Sequence, residues 1–310
     1  MPQHFRAFVV TVVWTLGLLL LGSVVHATES SLACPDWPTC FGTMLPEMEG
    51  GVFWEHLHRL VAGGLILMFA LATWLAFQAT GKGSWIRVAS VSGLFLLLVQ
   101  AVFGGLTVIY RLPDAISTSH LSMALAFLAL ATVLAAATSP RREARMPLAP
   151  KVRDVLRGWG LGALILIFLQ SVIGGVVRHT DAGMACPDFP TCIGVWIPPL
   201  ENHLVAVHFV HRVVGLLAAL VVLALAWKLA RAGAPSFVRR VAHAAAGLVL
   251  VQFTLGVISV FTVLAVVPVS FHTLGAAGLV SLLTLLTTWG RLGPVREATE
   301  VPGSAAVREH

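Results

Sequence analysis

The chain has 310 residues, of which 57% are hydrophobic and 11% charged, with a mean hydropathy of +0.89. A soluble protein of this length would carry about a quarter charged residues, so a soluble enzyme or a soluble binding module is excluded. The net charge of +6 would suit nucleic acid, but the basic residues sit in short loops between apolar runs, as topology signals do; no nucleic-acid partner is expected.

Eight apolar runs are long enough to cross a hydrocarbon core, which takes roughly 20 helical residues. They lie near 8–27, 56–78, 87–109, 118–138, 159–178, 204–227, 241–262 and 268–290. The first is too long for a signal peptide and leads into a cysteine-bearing loop rather than a cleavage site. The expected fold is therefore an all-α polytopic membrane protein. The loop after the fourth span carries Arg141, Arg142, Arg145, Lys151, Arg153 and Arg157, and the loop after the sixth carries Lys228, Arg231, Arg239 and Arg240. Putting these inside leaves only Arg59, Arg111, Arg178 and Arg212 outside, all near span ends. By the positive-inside rule both termini are cytoplasmic and all four cysteines face the outer side. The tail over 291–310 is polar and rich in Gly and Pro, and is expected to be disordered.

The chain repeats itself. Ala33-Cys34-Pro35-Asp36-Trp37-Pro38-Thr39-Cys40 matches Ala185-Cys186-Pro187-Asp188-Phe189-Pro190-Thr191-Cys192 at an offset of 152. Val99-Gln100 matches Val251-Gln252, and His120 matches His272, at the same offset, while His58 to His211 is 153. Each half holds an even number of spans, so the halves share one orientation and a pseudo-twofold axis along the membrane normal is expected. The predicted organisation is an N-terminal four-helix half over 1–140, a basic cytoplasmic linker over 141–158, a C-terminal four-helix half over 159–290, and the tail.

Each Cys-x5-Cys pair lies where oxidation is permitted, and closing so small a ring contributes roughly 2–3 kcal/mol. A structural disulfide, a redox-active disulfide exchanging with a thiol partner, and a zinc site are all compatible with the spacing, the last poorly because no histidine spacing accompanies it. His58, His120, His211 and His272 fall in the first turns of even-numbered spans. Ionisable groups at that depth are costly and usually functional. Two imidazoles per half at equal depth suit axial ligation of a haem iron within a helix bundle. Arg59 and Arg212, each following a histidine, are then candidates for haem propionates. His26, His56, His179, His203, His208 and His243 break the repeat and are expected at the surface or behind the ligands. Gly104-Gly105, Gly174-Gly175 and Gly256 each follow a glutamine (Gln100, Gln170, Gln252) at one spacing. They suit close helix packing, while the glutamines could bond between helices or to a ligand. The halves differ at one position: Glu55 stands three residues before His58, where the second half has His208 before His211. A carboxylate beside one site alone suggests that one half does chemistry and the other carries electrons.

These residues resemble the haem A synthase family, in its cysteine-bearing bacterial branch. The likeness rests on the doubled cysteine loops, Glu55-x-x-His58-Arg59, His211-Arg212, His120 and His272, and the Gln-x-x-x-Gly runs, and it covers about 10–290. It implies oxidation of the C8 methyl of haem O to a formyl group by successive hydroxylations with water-derived oxygen, within haem A biosynthesis for terminal oxidases. It implies two four-helix bundles, with haem b held by His211 and His272 as one cofactor per chain, and haem O as substrate between His58 and His120. It also implies Glu55 as the essential acid, disulfides Cys34–Cys40 (linked to activity) and Cys186–Cys192 (structural), and a bacterial inner membrane location. Its Gly-Gly-x-x-Arg run is kept as Gly174-Gly175-Val176-Val177-Arg178, making Arg178 a further propionate candidate, but the first copy reads Gly22-Ser23-Val24-Val25-His26. Haem O synthase (protohaem farnesyltransferase), a thiol–disulfide partner and an electron acceptor are compatible partners, as is a homo-oligomer. The competing readings are a bis-His b-type electron carrier, a haem or quinone transporter, and an assembly factor without a cofactor.

Overall fold

The computed structural model describes residues 1–140 and 148–292; Arg141, Arg142, Arg145 and the tail from 293 onward lie outside the described residues. In hydrocarbon every backbone polar group must be satisfied within its own segment, and the apolar runs are accordingly helices. They are α1 (Gln3–Ala27), α2 (Gly50–Ala79), α3 (Trp85–Ile109), α4 (Asp114–Ala137), α5 (Pro150–His179), α6 (His203–Arg231), α7 (Ser236–Phe261) and α8 (Val266–Leu292), all eight long and apolar enough to span a membrane. The protein is a multi-pass membrane protein. Polar residues cap two helices: Ser84 Oγ accepts from the Ile86 amide at the head of α3, and Asn202 Oδ1 from Leu204 at the head of α6. The odd helices end in left-handed turns. After α3, Leu112 donates to the Thr107 carbonyl, and after α7 Leu264 donates to Ser259, bonds that close orphan carbonyls of the last turn.

Helix α5 begins at Pro150, well before the span expected near 159. Lys151, Arg153 and Arg157 lower the hydropathy there, but Pro at the first helical position favours initiation, and Val152 and Leu156 are buried. A π turn over Leu156–Gly160 interrupts this helix where it meets the end of α8. Gly290 makes the approach possible, since a Cβ there would lie 2.6 Å from that of Leu156, and Arg157 Nε donates to its carbonyl at 3.1 Å.

The helix pairings describe two rings. Helices α1–α2, α2–α3, α3–α4 and α4–α1 pack together, and so do α5–α6, α6–α7, α7–α8 and α8–α5. The rings meet through α1–α8, α4–α8 and α4–α5. This accords with the expected two four-helix bundles. One apolar core fills the first ring around Phe8, Phe69 and Phe127. The other runs through the second ring and continues across the seam to Leu19, Leu125 and Leu128.

Candidate functional site

The two cysteine loops are built alike. Cys34–Cys40 and Cys186–Cys192 are both disulfides, and Trp37-Pro38 and Phe189-Pro190 are cis. Cys40 and Thr43 exchange both backbone hydrogen bonds, at 2.9 and 3.2 Å, around Phe41 (φ 53°) and Gly42 (φ 73°). Two positive φ values make this a type I′ turn, which a glycine at the second position accommodates without a Cβ clash. Phe41 has no such freedom, and Asp36 offsets its strain: Oδ1 accepts from the Phe41 amide at 2.6 Å, Oδ2 from Gly42 at 2.9 Å, and Thr39 Oγ1 also donates to Oδ2. Asp188 repeats the pattern with Ile193, Gly194 and Thr191. The donors, Thr191 first and then the Gly194 and Ile193 amides, hold the Asp188 carboxyl at about 2, and Asp36 is lowered in the same way by Thr39 and Gly42. A carboxyl with a depressed folded pKa stabilises its loop above the unfolded value of about 3.9 and loses that effect as the pH falls through the folded value. Protection of the Ile193 and Gly194 amides in hydrogen exchange is therefore expected to hold above about pH 4 and to fall as the pH approaches 2. Unchanged protection over that range would remove Asp188 from this role.

Arg59 and Arg212 bind these loops to the helices. Arg59 Nη1 donates to the carbonyls of Asp36 (2.7 Å) and Thr39 (2.6 Å), and Nη2 to Cys34 (3.4 Å) and to Glu55 Oε1 (2.6 Å). Arg212 makes the same contacts with Asp188 (2.7 Å), Thr191 (2.8 Å) and Cys186 (2.5 Å). A planar fork of five donors matches a turn that offers several carbonyls. Both arginines thus have loop partners that the sequence does not reveal.

Beneath the loops the halves diverge. Glu55 is only 4% exposed; its Oε2 accepts from the Cys34 amide at 2.7 Å while Oε1 pairs with Arg59. Glu55 is therefore not a solvated interfacial carboxylate. In the second half His208 takes that place, its Nδ1 2.9 Å from the Ala182 carbonyl and 3.4 Å from the Cys186 amide. The next residue differs as well. His56 is buried, bonds the Met44 carbonyl at 3.0 Å, and offers a ring nitrogen within 4.8 Å of both Cys34 and Cys40 sulfurs. Its counterpart Phe209 packs on Cys186 and Cys192. With the sulfurs bonded to each other, the thiolates that a zinc site requires are not on offer.

The four repeat histidines share one setting. A Cβ on Gly22 of α1 would lie 3.0 Å from His58 Cε1; on Gly104 of α3, 3.1 Å from His120; on Gly174 of α5, 2.9 Å from His211; and on Gly256 of α7, 3.1 Å from His272. Each odd helix thus provides a bare backbone floor for the imidazole of an even helix. Most of the glycines read from sequence as packing residues hold histidines or, for Gly105, the Trp37 ring. The glutamines bond the histidine backbones: Gln100, Gln170 and Gln252 Nε2 donate to the carbonyls of His120, His211 and His272, each at 2.8 Å. No Nε2 of the four histidines has a hydrogen-bond partner among the described residues.

The residues fit a haem. The His211 and His272 rings stand 6.4 Å apart, centroid to centroid, at 71°. A metal–imidazole bond of about 2 Å on either side, plus about 1.2 Å from nitrogen to ring centre, gives about 6.4 Å. His58 Nδ1 and His120 Nδ1 are buried without a partner among the described residues, a costly state for polar atoms in a bilayer.

Arg178 reaches the other half. Its Nη1 donates to Ser23 Oγ at 2.9 Å and Thr273 Oγ1 at 3.3 Å, and Nη2 to the Ser23 carbonyl at 2.8 Å. Next to it the His26 and His179 rings meet edge to face at 5.4 Å, and Thr118 Oγ1 lies 3.0 Å from His179 Nδ1. This polar junction, one residue from His272 and two from His120, was not legible in the sequence, because it joins residues from α1, α4, α5 and α8.

Residues 6–284 match the COX15-CtaA family model, described as cytochrome oxidase assembly protein. The chain belongs to this family. It is similar to the haem A synthase of Halalkalibacterium halodurans, 34% identical over 219 residues that cover 68% of this chain and 72% of that one. It is also similar to the haem A synthases of Alkalihalophilus pseudofirmus, at 31% identity over 92% of this chain and 97% of that one, and of Shouchella clausii, at 29% over 91% and 93%. Family membership covers both rings and both cysteine loops, so the duplicated architecture is a property of the matched region as a whole.

Proposed function

We propose that this family member is a haem A synthase, oxidising the C8 methyl of haem O to a formyl group by successive hydroxylations with oxygen from water. The supporting observation is a buried, paired carboxylate, Glu55, one helical turn from His58, whose counterpart beside His211 is a histidine. The N-terminal half (1–140) would hold the substrate haem between His58 and His120, and the C-terminal half (159–290) one haem b between His211 and His272. The haems would supply the redox chemistry, with haem b carrying electrons towards an external acceptor. The protein's own contribution is electrostatic and positional. Arg59 and the Cys34 amide orient Glu55 and keep it ready to face cationic character at the oxidised methyl or to take a proton from attacking water. The disulfide Cys34–Cys40 stiffens the loop that carries that amide. Any propionate contacts of Arg59, Arg212 and Arg178 would use donors left over from the loop and junction bonds.

In this reading the protein lies in a bacterial cell membrane with both termini and the 141–158 linker cytoplasmic and the cysteine loops outside. Haem O synthase would deliver the substrate, and a thiol–disulfide partner would act on the outer loops. The test is chromatography of the haems extracted from protein expressed with a haem O supply. Haem A or its hydroxylated precursor is expected together with haem B. Haem B alone, at two per chain, would mean a bis-His electron carrier and would deny Glu55 a catalytic role.

A further inference from the structure

The four histidine settings are not equally braced, and the inequality follows the repeat. On α3, α5 and α7 a glutamine stands four residues before the floor glycine and donates to the histidine carbonyl of the facing helix. The same position on α1, four residues before Gly22 and 152 before Gln170, is Leu18. A leucine cannot donate, so His58 has no such bond. The partner helix differs in step. Gly215, four residues after His211, leaves the space that Gln170 fills, for a Cβ there would lie 2.9 Å from Gln170 Nε2. Four residues after His58 stands Ala62, which carries that Cβ. Helices α1 and α2 are joined elsewhere, by Trp14 Nε1 donating to the Val61 carbonyl at 3.1 Å, beyond the histidine.

The ring nitrogens continue the trend. His272 Nδ1 lies 3.1 Å from the Gln252 carbonyl, which accepts the N–H of a ring ligating through Nε2. His211 Nδ1 instead lies 3.0 Å from Gln170 Nε2, a donor that cannot accept such an N–H. His120 Nδ1 has no partner but its carbonyl is held by Gln100, and His58 has neither contact. His272 is thus held at backbone and ring, His211 and His120 at backbone alone, and His58 at neither.

We propose that Gln100, Gln170 and Gln252 are positioning residues for the haem ligands, and that Leu18 with Ala62 makes His58 the yielding ligand of the substrate site. This rests on the haem assignment above. Partners behind a ligating histidine fix its ring and raise its hold on the metal. A resident haem gains from two fixed ligands. A haem that is both substrate and product must enter and leave, and tight ligation on both faces would hold the product as firmly as the substrate. One fixed ligand, His120, keeps the macrocycle oriented against Glu55, and one loose ligand, His58, lets it go.

The experiment follows haem transfer from the purified full-length protein in nanodiscs to excess apomyoglobin, with the departing haem identified by chromatography. In the unaltered protein the N-terminal haem is expected to leave at least about tenfold faster than haem b. Gln170→Leu and Gln252→Leu are each expected to speed the loss of haem b by about tenfold or more. Leu18→Gln combined with Ala62→Gly, which supplies both the donor and its space, is expected to slow the departure of the N-terminal haem. Carbon monoxide added to the reduced protein gives a second readout, since it binds where an axial ligand yields. It should bind the N-terminal haem in the unaltered protein and reach haem b in the two glutamine variants. A purely structural role would lower yield and melting temperature without changing which haem binds carbon monoxide. Haem b leaving both glutamine variants at the unaltered rate would overturn the proposal, whether or not the double variant folds. If His211→Ala retained haem b, the haem assignment itself, rather than the bracing, would have failed.

Discussion

Glu55→Gln is expected to leave both haems bound and to slow conversion of haem O by about 10²–10⁴-fold, the usual worth of a positioned acid or base. Glutamine keeps the shape and one acceptor for the Cys34 amide, which Glu55 now engages at 2.7 Å. It removes the charge, and with it both the attraction for a developing cation and the basicity towards water. Glu55→Ala is expected to stop conversion as well, at a further cost in stability. It strands a mostly buried Arg59, and removing one partner of a buried pair costs about 3–5 kcal/mol. The Arg59 bonds to Asp36 and Thr39 remain and should keep the loop in place. The measurement is the ratio of haem A to haem O per protein, alongside total haem. A normal haem A yield from the glutamine variant would show that Glu55 holds the loop and does no chemistry.

The second large effect is expected at His211. The rings of His211 and His272 stand 6.4 Å apart, centroid to centroid, at 71°, a spacing that would admit an iron between them, so His211→Ala should abolish the low-spin spectrum of haem b. Conversion should fall to near zero with it, because electrons from the other half would lose their path. The N-terminal site should still take up haem O, since its ligands stand on α2 and α4 in the other ring. Equal haem content by extraction, with haem O accumulating in place of haem A, is the opposite pattern and belongs to Glu55→Gln. The two variants therefore separate the chemical half from the electron-carrying half. Should His211→Ala convert haem O at the normal rate, the division of labour would not hold.

Much of the architecture could be read from the chain itself. Hydropathy is a local property, and a helix is the backbone's way of satisfying itself in lipid, so eight apolar runs became eight helices. Duplication made the rest of the pattern visible: a cysteine loop or a histidine that recurs at a fixed offset stands out from single occurrences. The cysteine pairs, the four histidines and the singular Glu55 were legible for that reason. Helix limits set by capping and packing rather than hydropathy were not, and the early start of α5 at Pro150 is the clearest case.

What only the tertiary structure decided is which side chain meets which. Arg59 and Arg212, read as propionate candidates, are bound into turns whose carbonyls converge only after the loops fold. His56, expected at the surface or behind the ligands, is buried against a disulfide where the other half has a phenylalanine. Arg178 crosses between the rings to Ser23 and also bonds Thr273 of its own ring, contacts set by how α1, α5 and α8 pack. The weight of Leu18 is the sharpest instance. As a leucine in an apolar run it carries no signal, and it gains meaning once the structure shows that its three counterparts each hold a histidine in place. Sequence by itself determined the spans, the duplication and the chemical inventory, because these depend on composition along the chain. The bracing, the burial of Glu55 and the junction between halves depend on contacts between distant segments, and packing alone brings those together.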